Sequence, residues 1–227
     1  MYNPDCAIKN IQQDRLGRSS FSKHLGQAIY RYMGVEGLVI GLYGKWGTGK
    51  TSVINMAMQE LKEISAKDEN PPIVIKFLPW NYSDKNDLIT LFFECLKSNL
   101  NSNKSEVIKK NIGKLLEDYA DIFEGVENFP VIGKKVFGGS KLFARFCSKK
   151  LLKKESLEEV KEKLEKALLA QNQKIVVVID DVDRLTNSQI RDVFQLVKQV
   201  ADFPNIIYIL SMDREVVCRA LEEVHKY

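Results

Sequence analysis

Histidine and cysteine are scarce in this chain: two histidines and four cysteines, the latter at 6, 95, 147 and 218, with no Cys-x-x-Cys pair among them. That spacing disfavours a zinc site, and reduced thiols in a cytosolic protein are the simplest expectation. Long apolar runs are also missing. None approaches the about 18 consecutive apolar residues that a membrane-crossing helix needs. Met1 to Arg18 lacks the apolar core of a secretory signal, so nothing in the sequence spans a membrane alone. A net charge of +4 is too small to imply nucleic acid by itself, and no internal repeat or low-complexity segment stands out. Hydrophobic and charged residues, at 44% and 28%, are near the averages for globular proteins, and 227 residues suffice for one large α/β domain or two small ones with a sizeable core.

What is present centres on Gly44-Lys45-Trp46-Gly47-Thr48-Gly49-Lys50-Thr51. This run satisfies Gly-x4-Gly-Lys-Thr and lies between an apolar stretch, Leu38 to Tyr43, and a helix-patterned segment, the context that distinguishes a phosphate-binding loop from a chance match. Glycines at 44, 47 and 49 allow a sharp turn and close approach of the backbone, so that successive N–H groups can face phosphate oxygens. The positive end of the following helix adds to that field. Lys50 is placed to reach the β and γ phosphates as a point charge. The Thr51 hydroxyl is placed to ligate Mg2+, and Ser52 completes the cofactor-binding set.

Around the loop the chain alternates strands and helices. Phe21 to Tyr32 is a helix by its apolar spacing, and Leu38 to Tyr43, without polar alternation, reads as a strand covered on both faces. Val53, Ile54, Ala57, Met58, Leu61 and Ile64 form a helical stripe. Ile73 to Leu78 is a second strand, stopped by Pro79 and leading to Trp80, and Leu88 to Leu100 marks an apolar core helix capped by Ser83 or Asp84. Composition shifts between about 101 and 154. A mixed-charge helix there is followed by Lys134 to Lys154, which carries eight basic residues and no acidic one. That basic amphipathic stretch is either a solvated insertion or a surface for anionic lipid, nucleic acid or an acidic partner. Ser156 opens a helix with a capping-box pattern. Ile175 to Ile179 and Ile206 to Leu210 are the remaining strands.

The third strand ends in Asp180-Asp181-Val182-Asp183-Arg184. Asp180 is placed to hold Mg2+, and Asp181 to orient or deprotonate an attacking water. Asp183 is placed to open the turn, and Arg184 either pairs with it or with another surface acid, or faces a phosphate or a neighbouring subunit. Ser211 or Asp213, after the fourth strand, falls where a polar residue can sense the γ phosphate, although Asp213 is equally placed to cap the last helix. The absence of Asn-Lys-x-Asp, and of Asp-x-x-Gly after the third strand, disfavours a GTPase, and the lack of Leu-Ser-Gly-Gly-Gln disfavours a transporter ATPase.

Four stretches together resemble the KAP family of P-loop NTPases: Gly41 to Ser52, Phe77-Leu78-Pro79-Trp80-Asn81, Ile179 to Leu185, and Met212-Asp213-Arg214-Glu215-Val216-Val217. The resemblance covers about residue 15 to the end and implies a three-layer α/β P-loop NTPase of the additional-strand division. Its parallel sheet would carry the fourth strand between the first and the third, with ATP and Mg2+ as cofactors and a helical insertion at about 101–154 in a single domain over 1–227. The expected function is Mg2+-dependent ATP hydrolysis with a regulatory or bacterial anti-phage output; the alternative is a nucleotide-gated switch or assembly module. The insertion sits where the family places membrane segments, yet is too charged to span a bilayer, so a cytoplasmic location, with peripheral membrane or nucleic-acid contact through 134–154, is expected. A fifth strand and a helical lid have no residues here, which points to a partner or to self-association through a further segment.

Overall fold

The computed structural model describes residues 6–79, 85–101, 106–123 and 157–222. Trp80, the caps Ser83 and Asp84, the basic stretch 134–154 and Ser156 lie outside the described residues. Strands β1 (Leu38–Tyr43), β2 (Ile73–Phe77), β3 (Ile175–Ile179) and β4 (Ile206–Met212) form one sheet in the order β1-β4-β3-β2. Every neighbouring pair is parallel. The fourth strand thus lies between the first and the third, as expected of the additional-strand arrangement. β3 and β4 are buried along their whole length, because the two central strands of a parallel sheet have no solvent face to accommodate polar side chains.

The helices are α1 (Ser19–Arg31), α2 (Lys50–Ile64), α3 (Lys85–Asn101), α4 (Glu106–Phe123), α5 (Leu157–Gln171), α6 (Asn187–Gln195) and α7 (Arg214–Glu222). The chain divides into two compact units, 1–83 with 171–227, and 84–170. In the first, Ile29 of α1 and Ile54, Ala57, Met58 and Leu61 of α2 pack with Val176, Val178, Ile207 and Ile209 of the sheet, and Leu38, Ile40 and Leu42 of β1 join them. A Cβ on Gly26 of α1 would lie 2.6 Å from the Ala57 carbonyl oxygen, so a glycine is what lets α1 sit this close to α2. α6 opens with a capping box, Thr186 accepting from the Gln189 N–H, and runs into a π turn at Leu196–Val200. In the second unit α3 packs on α4. Phe93 meets Phe92 and Tyr119 edge to face, with ring centroids 5.3 and 5.4 Å apart.

One expectation is corrected here. β1 is not covered on both faces: Val39 is 50% and Tyr43 61% exposed. β1 is the terminal strand of the sheet, and its side chains alternate between half-buried and exposed. An apolar run therefore does not tell an edge strand with one packed face from a central one, because Val39 and Tyr43 stay apolar where they meet solvent.

The polar N-terminal stretch, described from Cys6, wraps α2. The Ile8 N–H donates to Ser52 Oγ (3.2 Å), Asn55 Nδ2 to the Ile8 carbonyl (3.0 Å) and the Ile11 N–H to Gln59 Oε1 (2.9 Å). No helix among the described residues is long and apolar enough to cross a membrane.

Candidate functional site

The C-terminal ends of β1, β4 and β3 converge on one point. β1 pairs with β4 through Tyr43 and Met212, and the Gly44 N–H carries the ladder one step further by donating to the Met212 carbonyl at 3.1 Å. The chain then turns through the glycine-rich loop. Gly47 and Gly49 adopt φ of +77° and +81°, the left-handed region that a residue with a Cβ enters at a cost of about 1–2 kcal/mol. At Gly44 the reason for glycine is space, since a Cβ would stand 2.6 Å from Thr48 Oγ1. Thr48 closes the loop on itself, its hydroxyl and N–H both donating to the Lys45 carbonyl at 2.7 and 3.2 Å.

α2 begins at Lys50, directly after Gly49, so its unsatisfied N–H groups and the positive end of its dipole lie at the loop. Lys50 is buried. Its ammonium donates to the Gly44 carbonyl at 2.8 Å and to that of Lys45 at 3.4 Å, and it stands 3.6 Å from Asp183 Oδ1. The pair is almost fully enclosed, with side chains 7% and 5% exposed, so it is screened little by solvent. Thr51 and Ser52 are half-buried, whereas Lys45 and Trp46 project into solvent, Trp46 at 74% exposure.

Across β4 lies the acidic cluster. Asp180 follows the last residue of β3 and is buried at 7% exposure. Ser211 of β4, wholly buried, donates its hydroxyl to Asp180 Oδ1. The Asp181 N–H, in turn, donates to that same Oδ1 and to Ser211 Oγ, each at 3.0 Å. Both donors engage Oδ1 of Asp180, which leaves Oδ2 for a cation. Asp181 is itself left-handed, φ 58°, and its carboxylate pairs with Arg184 at 3.0 Å. Burial, chiefly, and then the neighbouring Asp180 and Asp183 charges hold its carboxyl above the usual range, while Arg184 and Lys50 oppose them. Asp183 Oδ1 accepts from the Asp213 N–H at 3.2 Å, and Asp213 caps α7 by accepting from the Glu215 N–H at 2.9 Å.

The structure therefore brings Lys50 to the acidic cluster through Asp183, and it shows what the neighbouring candidates touch within the chain. Arg184 pairs with an acid, Asp213 serves as a cap, and the Ser211 hydroxyl is committed to Asp180 and Asp181. Sequence reasoning missed Arg18, whose Nη1 donates to the Thr48 carbonyl in the loop. It also missed Asp14, which accepts from the Leu16 and Ser19 N–H groups at 3.0 and 2.7 Å and so shapes the turn that presents Arg18. The Arg18 contact, 30 residues distant in the chain, follows no local spacing rule. The Asp14 pattern, an aspartate two residues before the bonded N–H, is a turn signal that was present.

Compared with known proteins, residues 18–227 match the model of the KAP family P-loop domain. The chain is similar to the phage T7 exclusion protein of Escherichia coli (strain K12), 25% identical over 238 residues. The match covers 96% of this chain and 31% of that protein, so the chain spans about a third of the relative's length. Among solved structures, the ORC2 protein of Aeropyrum pernix, in ADPNP-ADP complexes, superposes with a TM-score of 0.49 at 10% identity. That likeness covers 97% of this chain and 46% of the other, and is too slight to assign anything here.

Proposed function

From the premise that the chain belongs to the KAP family of P-loop domains, we propose that it binds Mg2+·ATP and hydrolyses the γ phosphate with a water held at Asp181. The observation that carries this reading is the buried Lys50–Asp183 pair, which joins the glycine-rich loop to the acidic end of β3. Phosphoryl transfer asks for positioning and charge neutralisation rather than covalent chemistry, and these groups supply both. The loop N–H groups and the end of α2 receive phosphate oxygens. Lys50, which donates to two carbonyl oxygens and faces one carboxylate, would exchange them for the β and γ phosphates. Asp181, its carboxyl held above the usual range by burial and like charge, is a stronger base than a free aspartate, which suits it to accept a proton from water.

The donor set fits Mg2+: a carboxylate oxygen of Asp180, the Thr51 hydroxyl and the phosphates are hard oxygen ligands. When bound, the ion neutralises charge that develops on the phosphates. Ser211 and the Asp181 N–H orient Asp180 for that role. Adenine rather than guanine is supported by the missing guanine motifs.

A second reading is favoured by the Asp181–Arg184 pair at 3.0 Å. With Oδ2 of Asp181 paired to Arg184, one of its two carboxylate oxygens is engaged, so hydrolysis would quicken when nucleotide or a partner draws Arg184 away, and the chain would act as a nucleotide-gated switch. Likeness to a phage T7 exclusion protein supports an anti-phage output for either reading. Contact of 134–154 with lipid or nucleic acid is proposed only from its run of basic residues.

The test is phosphate release with Mg2+·ATP, nucleotide binding being followed in parallel, for the wild type, Lys50→Ala and Asp181→Asn. Turnover lost in both variants, with binding kept in Asp181→Asn, supports hydrolysis. Tight binding without turnover in the wild type selects the switch. Absence of binding refutes both.

A further inference from the structure

The N-terminal arm makes a contact that the nucleotide reading does not use. Arg18, the residue before α1, donates through Nη1 to the Thr48 carbonyl, inside the phosphate-binding loop. Its position is fixed from both sides. On the arm side, Asp14 gathers the Leu16 and Ser19 N–H groups, Gly17 turns at φ +68°, and Ile8 and Ile11 are fastened to α2 through Ser52, Asn55 and Gln59. On the helix side, the close approach of α1 to α2 at Gly26 sets where α1 begins.

The Thr48–Gly49 peptide is planar and trans, so its carbonyl and its N–H point to opposite sides. A guanidinium that grips the carbonyl therefore dictates where the Gly49 N–H points. Gly49 itself, at φ +81° and without a Cβ, supplies little resistance to rotation of that peptide. The opposing contacts in the loop, Thr48 onto the Lys45 carbonyl, leave this peptide's carbonyl for Arg18.

We propose that Arg18 is a positioning residue of the phosphate site: by holding the Thr48 carbonyl on the arm side, it aims the Gly49 N–H at the bound phosphate before nucleotide arrives. The proposal rests on the nucleotide reading for its ligand but not for the geometry it asserts. Arg18 touches the loop backbone only, so its loss weakens every ligand that carries a β phosphate to the same extent.

The experiment compares the full chain with Arg18→Ala and Arg18→Lys, thermal melting first establishing that each is folded. Binding of Mg2+·ATP, Mg2+·ADP and magnesium tripolyphosphate is measured by calorimetry. In the ligand-free protein, the NMR order parameter of the Gly49 amide is measured. Arg18→Ala is expected to weaken all three ligands by a common factor of about ten, the cost of ordering one residue's backbone on binding instead of beforehand. The Gly49 order parameter should fall from about 0.85 to below about 0.6, and Arg18→Lys should recover part of both effects. Loss with ATP but not with tripolyphosphate would mean that Arg18 touches base or sugar, and loss with ATP but not ADP that it touches the γ phosphate; either overturns the proposal. So does an unchanged Gly49 order parameter. If the wild type binds none of the ligands, the nucleotide reading falls, while the order parameter still decides whether Arg18 fixes the peptide. Should Arg18→Ala not fold, the same measurements on Arg18→Lys decide the matter.

Discussion

Replacing Ser211 by alanine tests the acidic end of the site at its most enclosed point. The Ser211 hydroxyl is wholly buried and links Asp180 Oδ1 to the Asp181 N–H. The substitution removes one oxygen and no carbon, so the cavity term is small. The Asp181 N–H keeps its bond to Asp180 Oδ1 at 3.0 Å and is not orphaned. The remaining loss is one hydrogen bond to a buried carboxylate, about 1.5–3 kcal/mol. At the usual conversion for a chain of this size, 2 kcal/mol lowers Tm by about 4–8 °C. Calorimetric melting at neutral pH reads this directly, and a double-mutant cycle with Asp180→Asn isolates the pair, with an expected coupling of at least about 1 kcal/mol. The same loss of orientation at Asp180 should weaken Mg2+·ATP. An unchanged Tm, or strict additivity with Asp180→Asn, would refute the assignment of Ser211 as the group that holds Asp180 in place.

Three further outcomes follow from the same geometry. Asp183→Ala strips the enclosed Lys50 of its carboxylate, so the ligand-free chain should lose about 3 kcal/mol or more; because Lys50 finds phosphate when nucleotide binds, the Tm rise on adding Mg2+·ATP should exceed that of the wild type, and an equal rise would contradict the exchange. A raised Asp181 carboxyl means that the fold disfavours its ionised form, a cost that accrues as pH climbs from the free value of 3.8 to the raised one and persists above it. Asp181→Asn should therefore raise Tm at neutral pH, and the rise should be larger in an Arg184→Ala background, which removes the opposing cation. Gly26→Ala places a Cβ 2.6 Å from the Ala57 carbonyl oxygen, and melting should show a loss of about 1–3 kcal/mol from the forced separation of α1 and α2.

Much of the architecture was legible in the chain because its signals are local. Glycines at 44, 47 and 49 followed by Lys50 and Thr51 specify a loop and a helix start at that place, and α2 begins at Lys50. Apolar runs at 175–179 and 206–210 specify buried strands by their lack of polar positions, Lys76 marks the one exposed position of 73–77, and the helical stripes specify which face packs. The strand order was reached only through family resemblance, since pairing between distant strands has no signature in either strand alone. β1 shows the limit: Val39 and Tyr43 read as buried and are exposed, because burial depends on what lies beside a strand rather than on its own residues.

By itself, then, the sequence determined the phosphate-binding loop, the aspartates after β3 and the alternation of elements, all properties of contiguous residues. Only the tertiary structure decided what those residues hold. Lys50 rests on Asp183 rather than on either aspartate of the Asp-Asp pair, Ser211 is spent on Asp180, Asp181 is tied to Arg184, and Arg18 grips the loop from the start of α1. Apart from the Asp181–Arg184 pair, each joins groups brought together by strand pairing and helix packing, and a hydrogen bond made across the fold leaves no period or spacing in the chain from which to read it.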